Sequence, residues 1–285
     1  MRVGTIIEGG REVVAVQRDG AWFPVRGPRR SVLDLLAGAP PDTDSEPLAN
    51  HQRPAVPFRP VRNIMCLGKN YRAHAVEFAA YRAEAESVPE YPIVFTKAPE
   101  SLCGAEDDIA VRREVGAALD YEAELGVVIG RDTVAVSVGD ALSRVAGYTV
   151  VNDVTARDVQ ERHRQWFLGK SLPRATPIGP AIVTPDEFGD LDDLRITCHV
   201  NGELRQSGRL GDMIFGVAET IAIISNVVPL QRGDIISMGT PSGVGIGFTP
   251  PRFLEDGDTV ECAIEGIGEL HNVVRFVDSG GMDEP

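Results

Sequence analysis

Three acids recur at every second position in residues 119–130, LDYEAELGVVIG: Asp120, Glu122 and Glu124. In an extended strand successive side chains point to opposite faces, so these three share one side while Tyr121, Ala123 and Leu125 share the other. The apolar run that follows sends such a strand into a core, where unpaired carboxylates are costly. A bound cation relieves that conflict, and so does an edge position that leaves the acids in water. With no cysteine or histidine alongside, the cation would be a hard one taking oxygen ligands, such as Mg²⁺, Mn²⁺ or Ca²⁺.

Four further groups of residues have chemistry to offer. In GKNYRAHAVEF, His74 and Glu77 stand at i and i+3 of an expected helix, on one face and within hydrogen-bonding reach. A histidine held by a carboxylate is a standard general base, although an ordinary surface pair has the same spacing. GYTVVNDVTARDVQ ends an apolar strand at Asp153 and opens a helix with Thr155 as its expected N-cap, placing Arg157 and Gln160 on one face. An acid between a strand and a helix is a frequent ligand position, or a plain cap. Among 28 basic residues only Lys69, Lys97 and Lys170 are lysines. So strong a preference for arginine retains lysine where a compact, rotatable ammonium is needed, unless the three are chance survivors on the surface. Finally GTPSGVGIG, residues 239–247, holds four glycines in nine residues and lets backbone approach a ligand, with Thr240 able to donate to a carboxylate. It lacks the Gly-Lys-Ser/Thr ending of a phosphate-binding loop and does not open a helix.

The elements that must position these groups are mostly strands. Residues 1–26 alternate apolar and polar around turns at Gly9-Gly10 and Asp19-Gly20, an antiparallel meander. Ser31 begins a short helix, with Asp34 three residues on and Gly38 at its end. Six prolines between Pro40 and Pro60 make an extended connector, so a boundary is expected near residue 58. Strands are expected at VRNIMCL, YPIVFTK, DDIAV, YEAELGVVI, GYTVVND, LRITCHV, ELRQSG, DIISMG and the closing TVECAIEGIGELHNVVRFV. Asn201-Gly202 joins two of them as a hairpin. RAHAVEFAAYRAEAE, GDALSRVA and GVAETIAIISNVV read as helices. The expected organisation is a small N-terminal domain and linker over 1–57, a main domain over 58–278 and a frayed tail over 279–285.

At 285 residues the chain can bury a full core. Its net charge of −14 argues against nucleic acid or an anionic membrane as partner. No apolar run approaches the ~20 residues that span a bilayer, and MRVGTIIEGG lacks a signal-peptide pattern, so a cytoplasmic location is expected. Cys66, Cys103, Cys198 and Cys262 are scattered without a CxxC pair and read as buried thiols.

Taken together, LGKNYRAHAVEF, DYEAEL, GYTVVNDVTARDVQ, LGKS, NGELRQSG and GTPSGVG resemble the fumarylacetoacetate hydrolase family in order and spacing over about residues 58–277. The resemblance implies an α+β, mainly β fold: a mixed-strand β-roll with peripheral helices, usually dimeric. It implies Glu122, Glu124 and Asp153 as ligands of Mg²⁺ or Mn²⁺ (Ca²⁺ being possible), with Asp120 left as neighbouring support or a solvated residue. It makes His74 and Glu77 a water-activating dyad and Lys170 a third catalytic group, with Lys97, Arg157, Gln160 and Thr240 binding substrate. The implied substrate is a small 2-oxo acid. Cleavage of a carbon–carbon bond in a 2,4-dioxo (acylpyruvate-like) acid comes first, with oxaloacetate-type decarboxylation or hydroxy-dienoate isomerisation as alternatives on the same site. A non-catalytic, metal-stabilised binding protein is the reading from another class. Leu172 and Thr176 stand where many members have phenylalanine and cysteine, so the pocket wall differs. Residues 78–92, after the dyad, are expected to serve as a lid.

Overall fold

The computed structural model describes residues 1–26, 31–41, 46–48, 52–82 and 88–278, with the backbone alone at residues 78 and 80–82. Part of the expected lid, residues 83–87, and the tail from residue 279 onward lie outside the described residues.

Eleven of the described strands form one mixed sheet. Along it lie Ala21–Pro24, Arg11–Arg18, Arg2–Glu8, Thr176–Val183, Val145–Asn152, Ala123–Ile129, Ile235–Ser237, Ile64–Gly68 and Ile93–Lys97, with Arg53–Pro54 and Leu102–Cys103 paired to its flank. A second sheet of five runs Glu203–Arg209, Arg195–Val200, Thr259–Ile264, Gly268–Val277 and Ile109–Arg112. Most neighbours are antiparallel, but Ile235–Ser237 meets Ile64–Gly68 in parallel and Gly268–Val277 meets Ile109–Arg112 likewise. The mainly β, mixed-strand architecture with peripheral helices follows.

Strand Ala123–Ile129 is buried along its whole length, and its period-two pattern explains how. Leu125, Val127 and Ile129 point into one apolar cluster with Ile196, Cys198, Val260 and Leu270 of the second sheet. Val128, on the opposite face, enters a different cluster with Ile64, Ile235, Val3, Val16, Val32 and Leu35. Glu122 and Glu124 share the parity of Val128, so both faces of this strand are covered and its acids are buried. The edge-strand alternative is thereby excluded.

The N-terminal meander forms as its turns predict, and Arg2 and Val3 continue the large sheet by pairing with Val183 and Ile182. Helix Val32–Leu36 begins at Ser31, whose hydroxyl accepts the Asp34 N–H at 3.1 Å. Two local expectations change, and one strand goes beyond those expected. Thr155 is no N-cap: it lies in the two-residue strand Thr155–Ala156, its hydroxyl donating to the Asp153 carbonyl, and the helix Arg157–Arg162 starts after Ala156. Pairing of Thr155 with Asp120 holds that backbone extended. GDALSRVA is one α-turn, Val138–Ala141, followed by a 3₁₀ turn, Leu142–Arg144. Thr176–Val183 is a strand although Pro177, Gly179 and Pro180 punctuate it; the antiparallel ladder shifts register beside them, between Tyr148 and Val150, which accommodates missing donors. All four cysteines are free and buried. Among the described residues no helix is long and apolar enough to cross a membrane.

Candidate active site

The antiparallel pairing of Ala123–Ile129 with Val145–Asn152 sets Ala123 opposite Asn152. That register places Asp153 beside Glu122, and the Asp153 N–H donates to the Glu122 carbonyl at 2.8 Å. Asn152 Oδ1 accepts the Glu122 N–H at 3.0 Å, so the two strand ends are locked together. One oxygen each of Glu122, Glu124 and Asp153 then lies within 4.8 Å of the others.

Cations converge on this cluster from the elements that follow. Lys170, at the end of helix Phe167–Lys170, donates to Glu122 Oε2 at 2.6 Å and Asp153 Oδ2 at 2.7 Å. Arg157, at the first turn of its helix, donates to Glu122 Oε1 at 2.6 Å and Asp120 Oδ2 at 2.8 Å. Gln160, one turn on, accepts from Arg157 at 3.3 Å. Lys97 donates from the last position of strand Ile93–Lys97 to Asp153 Oδ1 at 2.6 Å and the Val154 carbonyl at 3.0 Å. Glu124 differs: its partners are the Ser237 hydroxyl at 2.6 Å and the Gly239 N–H at 3.0 Å.

Helix Arg72–Arg82 brings the remaining pair. His74 Nδ1 lies 3.2 Å from Glu77 Oε2. The glycine-rich loop passes beneath, and its Gly243 N–H donates to Glu77 Oε1 at 3.0 Å. Thr240 accepts from Gln206 Nε2 at 2.8 Å, and Gln206 Oε1 accepts the Ala123 N–H at 3.0 Å, tying the second sheet to the acid-bearing strand.

A cleft of about 320 Å³ opens on this group. Of the residues singled out from the sequence, Lys69, His74, Glu122, Glu124, Arg157, Gln160, Lys170 and Thr240 line it. Glu77 and Asp153 stand behind that lining, holding His74 and Lys170, and Lys97 stands behind Asp153. Leu67, Gly68, Phe95 and Trp166 complete the wall, with the Phe95 and Trp166 rings edge to face at 5.2 Å. Sequence reading passed over these four and Gln206. Trp166 and its neighbour Phe167 flank Lys170 in the text, which was the available signal; a single glutamine in a hairpin gives none. Asp120 proves to be buried support.

The electrostatics ask for one more positive charge. Asp120, Glu122, Glu124 and Asp153 face Lys97, Arg157 and Lys170, and all seven are at least 96% buried. Burial, then repulsion from Asp153 and Glu122, pushes the Glu124 carboxyl well above its ordinary range. Burial pulls Glu122 the same way, but Lys170 and Arg157 outweigh it and hold that carboxyl at about 2. Burial disfavours the Lys170 ammonium, yet Asp153 and Glu122 more than offset this, so its pKa lies above the usual value. A carboxylate oxygen carries two lone pairs, so those bonded to lysine or arginine can still serve an ion. Three buried carboxylates converging, one of them without a cation among its partners, fit a hard divalent ion.

Comparison with known proteins identifies relatives of the whole fold. The oxaloacetate tautomerase YisK of Bacillus subtilis (strain 168) is 49% identical over 216 residues, covering 76% of this chain and 70% of the tautomerase. A fumarylacetoacetate hydrolase from the psychrophilic Exiguobacterium antarcticum superimposes with a TM-score of 0.86 at 38% identity, over 97% of this chain and 100% of that one. The 2-hydroxyhepta-2,4-diene-1,7-dioate isomerase of Mycobacterium marinum gives a TM-score of 0.79 at 31% identity, over 97% and 98%. The family described as fumarylacetoacetate (FAA) hydrolase C-terminal matches residues 63–275. By that match, and by its likeness to these relatives, the chain belongs to the fumarylacetoacetate hydrolase family of enzymes.

Proposed function

We propose that the protein is a divalent-ion-dependent enzyme that interconverts the keto and enol forms of a small 2-oxo diacid of the oxaloacetate type. One observation carries this: His74, Arg157 and Lys170 line the same small cleft as Glu122 and Glu124, with Glu77 holding the imidazole. The kinship with a tautomerase supports the substrate class, and the likeness to a dienoate isomerase supports proton transfer as the reaction type.

A divalent ion held by Glu122, Glu124 and Asp153 would supply Lewis acidity at the 2-oxo oxygen. The remaining steps belong to side chains. His74, oriented by Glu77, removes a proton from C3; the C3–H electron pair becomes the C2=C3 double bond, and the oxygen on C2 takes up the charge. Arg157 and Lys170 stabilise that charge. The oxygen then receives the proton, and His74 returns to its neutral form. Gln160 and Thr240 orient the substrate carboxylate, and Lys97 fixes Asp153 from behind.

A second reading has its own observation. A His–Glu pair beside a carboxylate cluster can equally activate water to cleave a 2,4-dioxo acid, but the kinship with an oxaloacetate tautomerase favours the short diacid. Three assays separate the readings: keto–enol interconversion of oxaloacetate followed by enol absorbance, its decarboxylation, and cleavage of acetylpyruvate, each with Mg²⁺ and with EDTA. Mg²⁺-dependent interconversion that falls by about 10²-fold or more in His74→Ala is expected. Faster cleavage of acetylpyruvate than interconversion of oxaloacetate would replace the first reading with the second.

A further inference from the structure

We propose that Asp120 is a positioning residue that sets the His74–Glu77 pair and Arg157 against the carboxylate cluster, acting on the pair through the glycine-rich loop. The inference rests on the reading that His74 and Glu77 form the base.

Asp120 is completely buried and accepts four hydrogen bonds. Its Oδ2 takes Arg157 Nε at 2.8 Å and the Ile246 N–H at 3.1 Å; its Oδ1 takes the Gly245 N–H at 2.6 Å and the Tyr121 N–H at 2.9 Å. A carboxylate can accept all four, whereas the isosteric amide offers one accepting oxygen and two unwanted donors. The next residue reinforces the grip, because the Tyr121 hydroxyl donates to the Gly243 carbonyl at 2.9 Å. The loop so anchored is the surface on which Glu77 rests. Gly243 donates its N–H to Glu77, and a Cβ at Gly247 would fall 2.1 Å from Glu77 Oε1. Gly243 itself has φ +102°, with the Arg205 carbonyl 2.0 Å from where a Cβ would stand. The loop therefore meets Glu77 at Gly243 and Gly247 and is pinned between them, at Gly245 and Ile246, to the residue two before Glu122. The distance between base and cluster is set by this short path rather than by helix Arg72–Arg82 alone.

The test uses the full chain with Mg²⁺. Asp120→Asn is expected to lower kcat for oxaloacetate interconversion by about 30-fold with KM within about threefold, the usual size for groups that orient others. In a Glu77→Ala background the same substitution should cost at least about fivefold less, because contacts sharing a path are non-additive. A penalty equal in both backgrounds overturns the inference. Amide exchange gives a second readout independent of turnover: in Asp120→Asn, residues 72–77 and 243–247 should exchange faster together, while helix Val217–Ser225 is unchanged. Unaltered exchange over 72–77 also overturns it. Should Asp120→Asn not fold, Gly247→Ala takes its place, since the nearest atoms its Cβ would meet all belong to Glu77 and its penalty should likewise shrink at least about fivefold once Glu77 is alanine. A wild type that turns over none of the oxo acids sinks the functional reading, and the exchange experiment still decides the role of Asp120.

Discussion

Two groups of three ligand-type side chains, Glu122 with Glu124 and Asp153, and Glu261 with Glu269 and His271, each bring one ligand atom apiece within 4.8 Å of one another. Counted by donors they are equivalent. The second lies on the outer face of the five-stranded sheet, where Glu261 pairs across strands with His271 and Glu269 sits two residues along on the same face. Its side chains are 37–52% exposed, and the two carboxylates approach opposite nitrogens of the ring, at 3.7 and 3.3 Å. Water solvates these charges, so their proximity costs little and implies little. The first group lies buried at the cleft among three buried cations. Replacing a buried ion network by apolar side chains is often neutral or stabilising, so stability alone does not explain retaining seven ionisable side chains there. Desolvated charge, rather than the number of donors, separates a working site from a surface coincidence.

The largest effect that would break this comparison belongs to Glu124→Gln. The substitution keeps the shape and leaves three carboxylates facing three cations. Without added ion the variant should melt no lower than the wild type. Its response to Mg²⁺ should vanish, where the wild type gains about 2.7 kcal/mol at a hundredfold excess over Kd, or roughly 5–10 °C at the 2–4 °C per kcal/mol typical of larger domains. Loss of several kcal/mol of charge stabilisation, at about 1.4 kcal/mol per tenfold, lowers turnover by roughly 10³-fold. Differential scanning calorimetry with and without Mg²⁺ checks the first two; an undiminished Mg²⁺ shift would show that the cluster does not hold the ion.

What the sequence revealed of this contrast follows physical lines. The alternation of Asp120, Glu122 and Glu124 and the i, i+3 spacing of His74 and Glu77 are local, and both survive intact in the fold. Asn201-Gly202 likewise makes its hairpin, with both residues at positive φ. The groups that escaped are those whose meaning depends on distant partners. Gln206 acquires its role by meeting Ala123, 83 residues away, and Asp120 by receiving Gly245 from 125 residues downstream. Thr155 has the composition of an N-cap but is drawn into a two-residue strand by Asp120. The aromatic wall of the cleft comes from Trp166 meeting Phe95, which no spacing in the sequence records.

A smaller effect sharpens the role of charge. Lys170→Met removes the ammonium shared by Glu122 and Asp153 and leaves both less compensated. Breaking a buried pair costs about 3–5 kcal/mol, or roughly 6–10 °C at the lower slope of large domains. Mg²⁺ should recover a larger part of this loss than it adds to the wild type, because the ion restores positive charge at the same oxygens. A Tm deficit that Mg²⁺ leaves unchanged would mean that Lys170 acts by packing against Phe95, whose ring it approaches at 5.1 Å.

The smallest effect is expected where the donors are exposed. Glu261→Gln together with Glu269→Gln removes both carboxylates from His271 and eliminates the second cluster. Surface substitutions away from buried features shift stability by no more than about 0.5 kcal/mol each, so Tm should move by about 4 °C or less and in the same degree with or without Mg²⁺. Turnover and the Mg²⁺ response should match the wild type. The comparison is most exposed here, because both clusters satisfy the same donor geometry and only solvation distinguishes them. If the double variant lost part of its Mg²⁺-induced stabilisation, desolvation would not be the criterion, and the outer face of the second sheet would have to be counted as an ion site in its own right.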